Sequence, residues 1–187
     1  MYSLSVQTPD DKGGYEVLWL MTRDQAMGVW ELGQVKIPGR DIVITAVKDN
    51  DVNKGYIAVD EFLVMENMDN CDTLPIAAGV ETTTTATTSS PFPQDCDFEK
   101  NYCDWTSGDN IDNTTDLFVF IRTQGHLHTA DHDGPEYDHS RQNTTYFLWT
   151  NAGFGKEGDV AAITGPSINI DESLCFNFWF DLSVSIF

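Results

Sequence analysis

Residues 174–182 read LCFNFWFDL, and a bulky apolar side chain occupies every second position. Successive side chains of a β-strand point to opposite faces, so a period of two places one series on one face. The first series is Leu174, Phe176, Phe178 and Phe180, and the second is Cys175, Asn177, Trp179 and Asp181. The stretch therefore predicts a strand with its phenylalanines on one face.

Short runs of the same character occur along the rest of the chain, and no apolar stripe of helical period and length appears among them. Turn-forming residues at 9–14, 38–39 and 50–53 separate the early runs at the spacing of an all-β sandwich. The runs are residues 3–8, 15–21, 28–37, 41–48 and 55–66, followed by 116–123, 144–151 and 158–165. The pattern predicts an all-β fold.

The charge composition restricts the classes of partner. Ten basic and thirty acidic residues give a net charge of -20 over 187 residues. Binding to phosphate backbones or anionic lipids requires a basic surface, so nucleic acid and acidic membranes are excluded. Calcium and basic protein surfaces remain compatible with this charge. No run of 18 apolar residues occurs, and the N-terminus lacks the features of a signal peptide, so we expect no direct membrane insertion by this segment.

Residues 77–95, AAGVETTTTATTSSPFPQD, predict a linker between two blocks. Thr, Ser and Pro dominate this stretch, and it carries no hydrophobic period that could bury surface. In a secreted protein such a tract is typical of an O-glycosylated spacer. The predicted organisation is therefore residues 1–76, a linker over 77–95, and residues 96–187.

Cysteines and glycosylation sequons favour an extracellular location. The four cysteines form no C-x-x-C pair, which argues against a zinc knuckle, and their even number fits disulfides. They are Cys71, Cys96, Cys103 and Cys175. Sequons begin at Asn113 and Asn143 and predict N-glycosylation.

Four motifs of the second block, in order, resemble the MAM domain, named for meprin, the A5 antigen and receptor tyrosine phosphatase mu. CDFEKNYCDW (96–105) resembles the opening C-x-F-E…C-x-W motif, and GPEYDHS (134–140) resembles the G-P-x-x-D-H-T/S loop. GKEGDVAAITGPSI (155–168) and CFNFWFDL (175–182) resemble two later strands, with Gly165 where Ser is usual. The resemblance implies an antiparallel β-sandwich of jelly-roll type, used outside the cell for adhesion or assembly rather than catalysis.

The first block resembles the other half of the same module. SLSVQT (3–8), residues 17–37 and residues 41–71 are similar to its later strands, although Glu61 replaces the second Asp of the D-D-I motif and Ala46-Val47 replaces a bulkier strand end. The order is inverted, which suggests the C-terminal half of one repeat followed by the N-terminal half of the next. We expect a fragment of a multi-MAM cell-surface or secreted protein that binds other proteins, with homophilic binding included.

The resemblance also implies disulfide pairing. The family pairs its first two cysteines locally, which corresponds to Cys96 and Cys103. Its third and fourth correspond to Cys175 and Cys71, which here come from different repeats. Each could bond a partner absent from this chain, or they could bond each other if the two halves form one permuted domain.

Three carboxylates are candidates for a calcium site. Some family members bind a cation near the opening motif, and the resemblance points to Glu99, Asp138 and Asp60. Hard oxygen ligands suit calcium. The alternative is that Glu99 and Asp60 only tie strand ends together by hydrogen bonds.

Two other function classes remain as alternatives. HLHTADH (126–132) resembles the metal motif of metallo-β-lactamase-type hydrolases but has one residue too many, so we expect a solvated loop or an incidental zinc or copper site at His126, His128 and His132. A carbohydrate-binding jelly roll would use exposed aromatic side chains, although most tryptophans are expected in the core. The candidates are Trp19, Trp30, Trp105, Trp149 and Trp179.

Overall fold

The computed structural model describes residues 2–22, 28–48, 55–66, 71–75, 92–107, 118–125, 134–141, 144–151 and 153–183. Five strands come from the first block: β1 (Tyr2–Pro9), β2 (Tyr15–Met21), β3 (Glu31–Ile37), β4 (Val43–Lys48) and β5 (Tyr56–Met65). Five come from the second: β6 (Thr106–Ser107), β7 (Ile121–Gln124), β8 (Tyr146–Asn151), β9 (Val160–Thr164) and β10 (Leu174–Ser183). The predicted histidine and sequon sites lie outside the described residues, as does most of the linker, namely His126, His128, His132, Asn113, Asn143 and residues 77–91.

The strands form two antiparallel sheets of five strands each. One sheet has the order β2-β1-β4-β9-β6, and the other has the order β3-β10-β5-β8-β7. They pack face to face as a sandwich, and the prediction of an all-β antiparallel sandwich is confirmed. Within the described ranges, no helix has the length and apolar character needed to cross a membrane.

The core lies between the sheets and follows the pattern of residues 174–182. Phe176, Phe178 and Phe180 of β10 are fully buried. Trp19 from the opposite sheet stands edge-on to Phe178 and Phe180, with ring centroids 5.0 and 5.1 Å apart. Edge-to-face contacts of this kind are a favoured aromatic geometry. Gly33 of β3 lies directly under the ring of Phe178, where any β-carbon would collide with it.

The two blocks are interleaved in both sheets. Strand β4 of the first block pairs with β9 of the second. In the other sheet β10 lies between β3 and β5, and β5 also pairs with β8. Cys71 and Cys175 form a disulfide across the blocks, with Cα atoms 5.6 Å apart. The blocks therefore build one sandwich together.

The last four residues of the predicted linker pack against this sandwich. The indole N–H of Trp105 donates to the Gln94 carbonyl at 2.9 Å, and the Gln94 side chain is buried. The carboxylate of Asp95 accepts from the Val64 and Phe92 amides at 2.7 and 2.9 Å. The junction between the linker and the second block is thus tied to β5.

Candidate functional site

A cluster of ionisable side chains lies on the outer face of the second sheet. His139 Nδ1 is 2.8 Å from Asp60 Oδ2, and its Nε2 is 2.8 Å from Glu61 Oε2. Asp60 is almost fully buried, whereas the side chain of Glu61 is 37% exposed. One imidazole therefore contacts two carboxylates that are adjacent in sequence.

A β-bulge in β5 makes this double contact possible. Adjacent residues of a regular strand point to opposite faces. Between Asn177 and Trp179 the pairing of β10 with β5 shifts register, so that β5 has one extra residue. Glu61 sits in this bulge with a φ of 46°, a conformation rare outside glycine. The bulge turns Asp60 and Glu61 towards the same histidine.

The loop that carries His139 is held by its own hydrogen bonds. The hydroxyl of Ser140 lies 2.9 and 2.8 Å from the two carboxylate oxygens of Asp138. The Arg141 amide donates to the Asp138 carbonyl at 3.1 Å. Asp138 is 3% exposed. Its buried carboxylate thus fixes the turn that presents His139 to β5.

The electrostatics of the cluster favour a charged histidine. Burial opposes a charge on His139, but the hydrogen bonds to Asp60 and Glu61 outweigh it and raise the pKa of His139 to about 10. Burial raises the pKa of Asp60 to about 6, although the hydrogen bond from His139 opposes the shift. The hydrogen bond from His139 lowers the pKa of Glu61. Near neutral pH an imidazolium therefore lies between two carboxylates.

A pocket of about 590 Å³ opens beside this cluster. Trp179 of β10 contributes an aromatic surface, and His139 stacks on its ring at 5.2 Å with an interplanar angle of 14°. Trp30, just before β3, donates its indole N–H to the Tyr137 carbonyl at 2.9 Å. Other polar lining comes from Glu136 and Arg141 of the loop. The pocket is thus bounded by the sheet on one side and by the 134–141 loop on the other.

Another buried carboxylate, Asp181, lies on the same outer face. Asp181 is fully buried, and its Oδ2 accepts from the Tyr56 hydroxyl at 2.8 Å. Within the described residues its Oδ1 has no hydrogen-bond partner. Burial raises the pKa of Asp181 to about 7, against the opposing hydrogen bond from Tyr56.

These motifs can be compared with known families. Residues 96–185 match the family model of the MAM domain, meprin/A5/mu. The matched region includes the opening motif, the 134–141 loop and β10. MAM domains are non-catalytic extracellular modules with a jelly-roll fold. No solved structure matches the chain with significance.

The region that matches the family model, residues 96–185, also contains the local disulfide. Cys96 and Cys103 are bonded, with Cα atoms 5.7 Å apart. Phe98 and Trp105 of the opening motif are buried beside it. Phe62 stands edge-on to both, with ring centroids 4.8 and 4.6 Å apart. Phe62 and Cys96 exchange two backbone hydrogen bonds of 2.8 and 2.9 Å. These backbone hydrogen bonds and ring contacts therefore anchor the start of the matched region on β5 of the first block.

The three predicted cation ligands do not all come together. Within the described part of the chain, the ligand atoms of Asp60, Asp138 and His139 lie within 4.8 Å of one another, and Glu99 is not in this group. Glu99 Oε1 instead accepts from the Tyr146 amide of β8 at 3.0 Å. That contact fits the alternative in which Glu99 ties a strand end.

The donor set of this group does not match calcium. Calcium takes six to eight oxygen ligands. Here the position between Asp60 and Glu61 is filled by the imidazole of His139, which contributes nitrogen atoms rather than oxygen. A calcium ion would have to displace this imidazolium from a buried carboxylate. The arrangement therefore serves as an internal ion-pair cluster, and the calcium prediction stays a prediction.

The tryptophans divide between the core and the pocket. Trp19 and Trp105 belong to the main core, and Trp149 is buried in a small cluster with Tyr56 on the outer face. Trp30 and Trp179 are half-buried and line the pocket. Sequence reasoning did not separate these two from the other three, because all five lie in or beside strand-like runs.

Proposed function

We propose that this chain is a non-catalytic extracellular interaction module, part of a multi-MAM cell-surface or secreted protein. Its partners are other proteins at the cell surface, and a second copy of the chain is one candidate. The observation that carries the proposal is the match of residues 96–185 to the MAM domain. The two disulfides support an oxidising, extracellular location.

The arrangement of the two blocks supports a permuted origin. The first block supplies β1–β5 to a sandwich in which the second block supplies the MAM region. The Cys71–Cys175 disulfide bonds the blocks covalently, which fits the alternative in which the two halves form one permuted domain. We infer the C-terminal half of one repeat followed by the N-terminal half of another. The transcript on both sides of this segment should encode the complementary halves, and unrelated flanking sequence would refute the inference.

Binding is tested with the full chain secreted from animal cells. Beads coated with the chain should aggregate if it binds itself. The fluorescently labelled chain should bind cells, and this binding should be lost after the cells are treated with protease. The control is a Cys71→Ser/Cys175→Ser variant. It lacks the bond between the blocks and so tests whether binding requires the folded surface. The proposal would be contradicted if the coated beads do not aggregate and the protein also shows no protease-sensitive binding to any of a panel of cell lines.

Secretion should also modify the two sequons. Asn113 and Asn143 lie in N-T-T sequences and are proposed to carry N-glycans. Digestion with peptide N-glycosidase should reduce the mass in two steps. The substitutions Asn113→Gln and Asn143→Gln should each abolish one of these two steps. A secreted chain with no mass change would refute both sites.

A further inference from the structure

The pocket beside the His139 cluster has the size and lining of a small-ligand site. Ligand pockets are typically about 300–1,000 Å³ and combine aromatic side chains with a few polar groups. This pocket measures about 590 Å³. We propose that it binds a neutral saccharide, held between Trp30, Tyr137 and Trp179 and hydrogen-bonded to Glu136 and Arg141.

The aromatic side chains offer surfaces on which the apolar face of a sugar ring can pack. Tyr137 is 40% exposed, and Trp30 and Trp179 are half-buried. One face of Trp179 is covered by His139, which leaves its remaining exposed surface to the pocket. The indole N–H of Trp30 is already bonded to the Tyr137 carbonyl, so the ring of Trp30 is fixed in position.

The polar groups suit hydroxyls. Glu136 and Arg141 are both exposed and both line the pocket. A carboxylate accepts hydrogen bonds and a guanidinium donates them, so the pair can bind neighbouring hydroxyl groups that act as donor and acceptor. The Tyr137 hydroxyl donates to Glu136 Oε1 at 2.9 Å and orients this carboxylate.

The charge of the lining distinguishes a neutral ligand from an ionic one. Its acidic side chains are Glu136 and Asp138, and its basic ones are His139 and Arg141. His139 is already paired with Asp60 and Glu61, and Asp138 is buried. The charges open to a ligand are therefore those of Glu136 and Arg141, one of each sign, although the whole chain has a net charge of -20. A site for a lysine side chain would show a surplus of carboxylates, and a site for an anion would show a surplus of basic groups. The balanced lining therefore selects a polar, uncharged ligand.

The loop that carries Glu136 and Arg141 is held in a fixed position before a ligand arrives. Gly125, at the end of β7, lies so close to the Glu136 carbonyl that any β-carbon would collide with it. The buried Asp138 closes the turn on the other side through Ser140 and the Arg141 amide. A preformed site loses less conformational entropy on binding.

The test is a glycan array followed by calorimetric titration of the best neutral glycan, with the full chain stripped of its own N-glycans. Glu136→Gln and Arg141→Gly should each weaken binding by about tenfold, because each removes a hydrogen bond to a charged group. Glycine is chosen at position 141 because Arg141 has a φ of 62°, which glycine adopts without strain. Matched surface controls are Glu157→Gln and Arg40→Ala, which should leave the affinity unchanged.

Nuclear magnetic resonance gives an independent measurement. The indole N–H signals of Trp30 and Trp179 should shift on titration, while those of Trp19 and Trp105 in the main core should not. The proposal is overturned if no neutral glycan binds at millimolar concentration, if binding survives both pocket variants, or if a lysine-rich peptide displaces the glycan and shifts the same two signals more strongly. The proposed adhesion function is tested separately, by bead aggregation and cell binding of the unchanged chain, so failure of the glycan experiments does not affect it.

Discussion

His139 joins Asp60 and Glu61: each of its ring nitrogens lies 2.8 Å from an oxygen of one carboxylate. The contact spans 79 residues between the two blocks and holds the 134–141 loop on the bulge of β5. It combines an almost fully buried carboxylate with a charged imidazole. Removal of either partner leaves the charge of the other uncompensated.

His139→Gln should lower the free energy of unfolding by about 3 kcal/mol, because it leaves Asp60 buried without a positive partner. Urea denaturation at pH 7 measures the change. In an Asp60→Asn background the same substitution should cost about 1 kcal/mol, since the buried charge of Asp60 is no longer there to be balanced. Equal losses in both backgrounds would show that His139 acts by packing alone.

The same cluster should make stability fall as pH rises above neutrality. The pKa of His139 is about 10 in the folded state, above its usual value of 6.5, so the stabilisation is complete below about pH 6.5 and is lost as pH rises towards 10. Asp60, Glu61 and Asp138 face the imidazole, and the pKa values of Asp60 and Glu61 lie below this window.

The pH effect is measured as the difference between the wild type and His139→Gln. This difference in unfolding free energy should shrink between pH 7 and pH 10, with a slope of at most about 1.4 kcal/mol per pH unit. Subtraction removes the titration of lysines and tyrosines that both proteins share. A difference independent of pH would contradict a charged His139.

Calcium should leave the melting temperature nearly unchanged, because the imidazolium of His139 occupies the space between Asp60 and Glu61. Scanning calorimetry compares the chain in 5 mM calcium with the same sample in chelator. This concentration is about five- to fiftyfold above the dissociation constants of about 0.1–1 mM that extracellular calcium modules show. His139→Ala is the informative variant, since it frees the carboxylates and should give the larger calcium response. A rise of several degrees in the wild type alone would instead support the calcium prediction.

Asp181→Asn should stabilise the fold at pH 8 by about 1 kcal/mol. The pKa of Asp181 is about 7 in the folded state against 3.8 in the unfolded one, so the wild type loses stability as pH rises from 4 to 7. The gain should vanish below about pH 3, where both states carry the proton. Asp171→Asn, at an exposed position, controls for the general effect of one charge fewer on an acidic chain. A destabilised Asp181→Asn at pH 8 would contradict a stability cost of ionising this buried carboxyl.

The sequence predicts the fold well where the alternation of side chains along a strand decides it. The alternation of Phe176, Phe178 and Phe180 is confirmed by their complete burial. The same rule placed Asp181 on the opposite face but did not predict its burial. That burial depends on Tyr56, which lies 125 residues away and contacts it only in the folded sheet.

The candidate site was predictable only in part. Asp60 and Asp138 are together, as the motif resemblance implied, but Glu61 and His139 were not expected as their partners. The sequence contains a usable signal: the apolar residues of β5 that face the core are Ile57, Val59, Phe62 and Val64, with a gap of three in a series of twos. Such a gap predicts a bulge, although it does not identify the loop that lies over it.

The bulge at Glu61 lets β5 change phase: odd-numbered residues face the core before it and even-numbered ones after it. Deleting Glu61 would join the two apolar series into one regular alternation, with both halves still in register with β10. We expect such a chain to keep its sandwich in circular dichroism and to lose the raised pKa of His139 in a histidine titration. The contact of His139 with two adjacent carboxylates thus depends on a single inserted residue, whereas the core on either side of that residue does not.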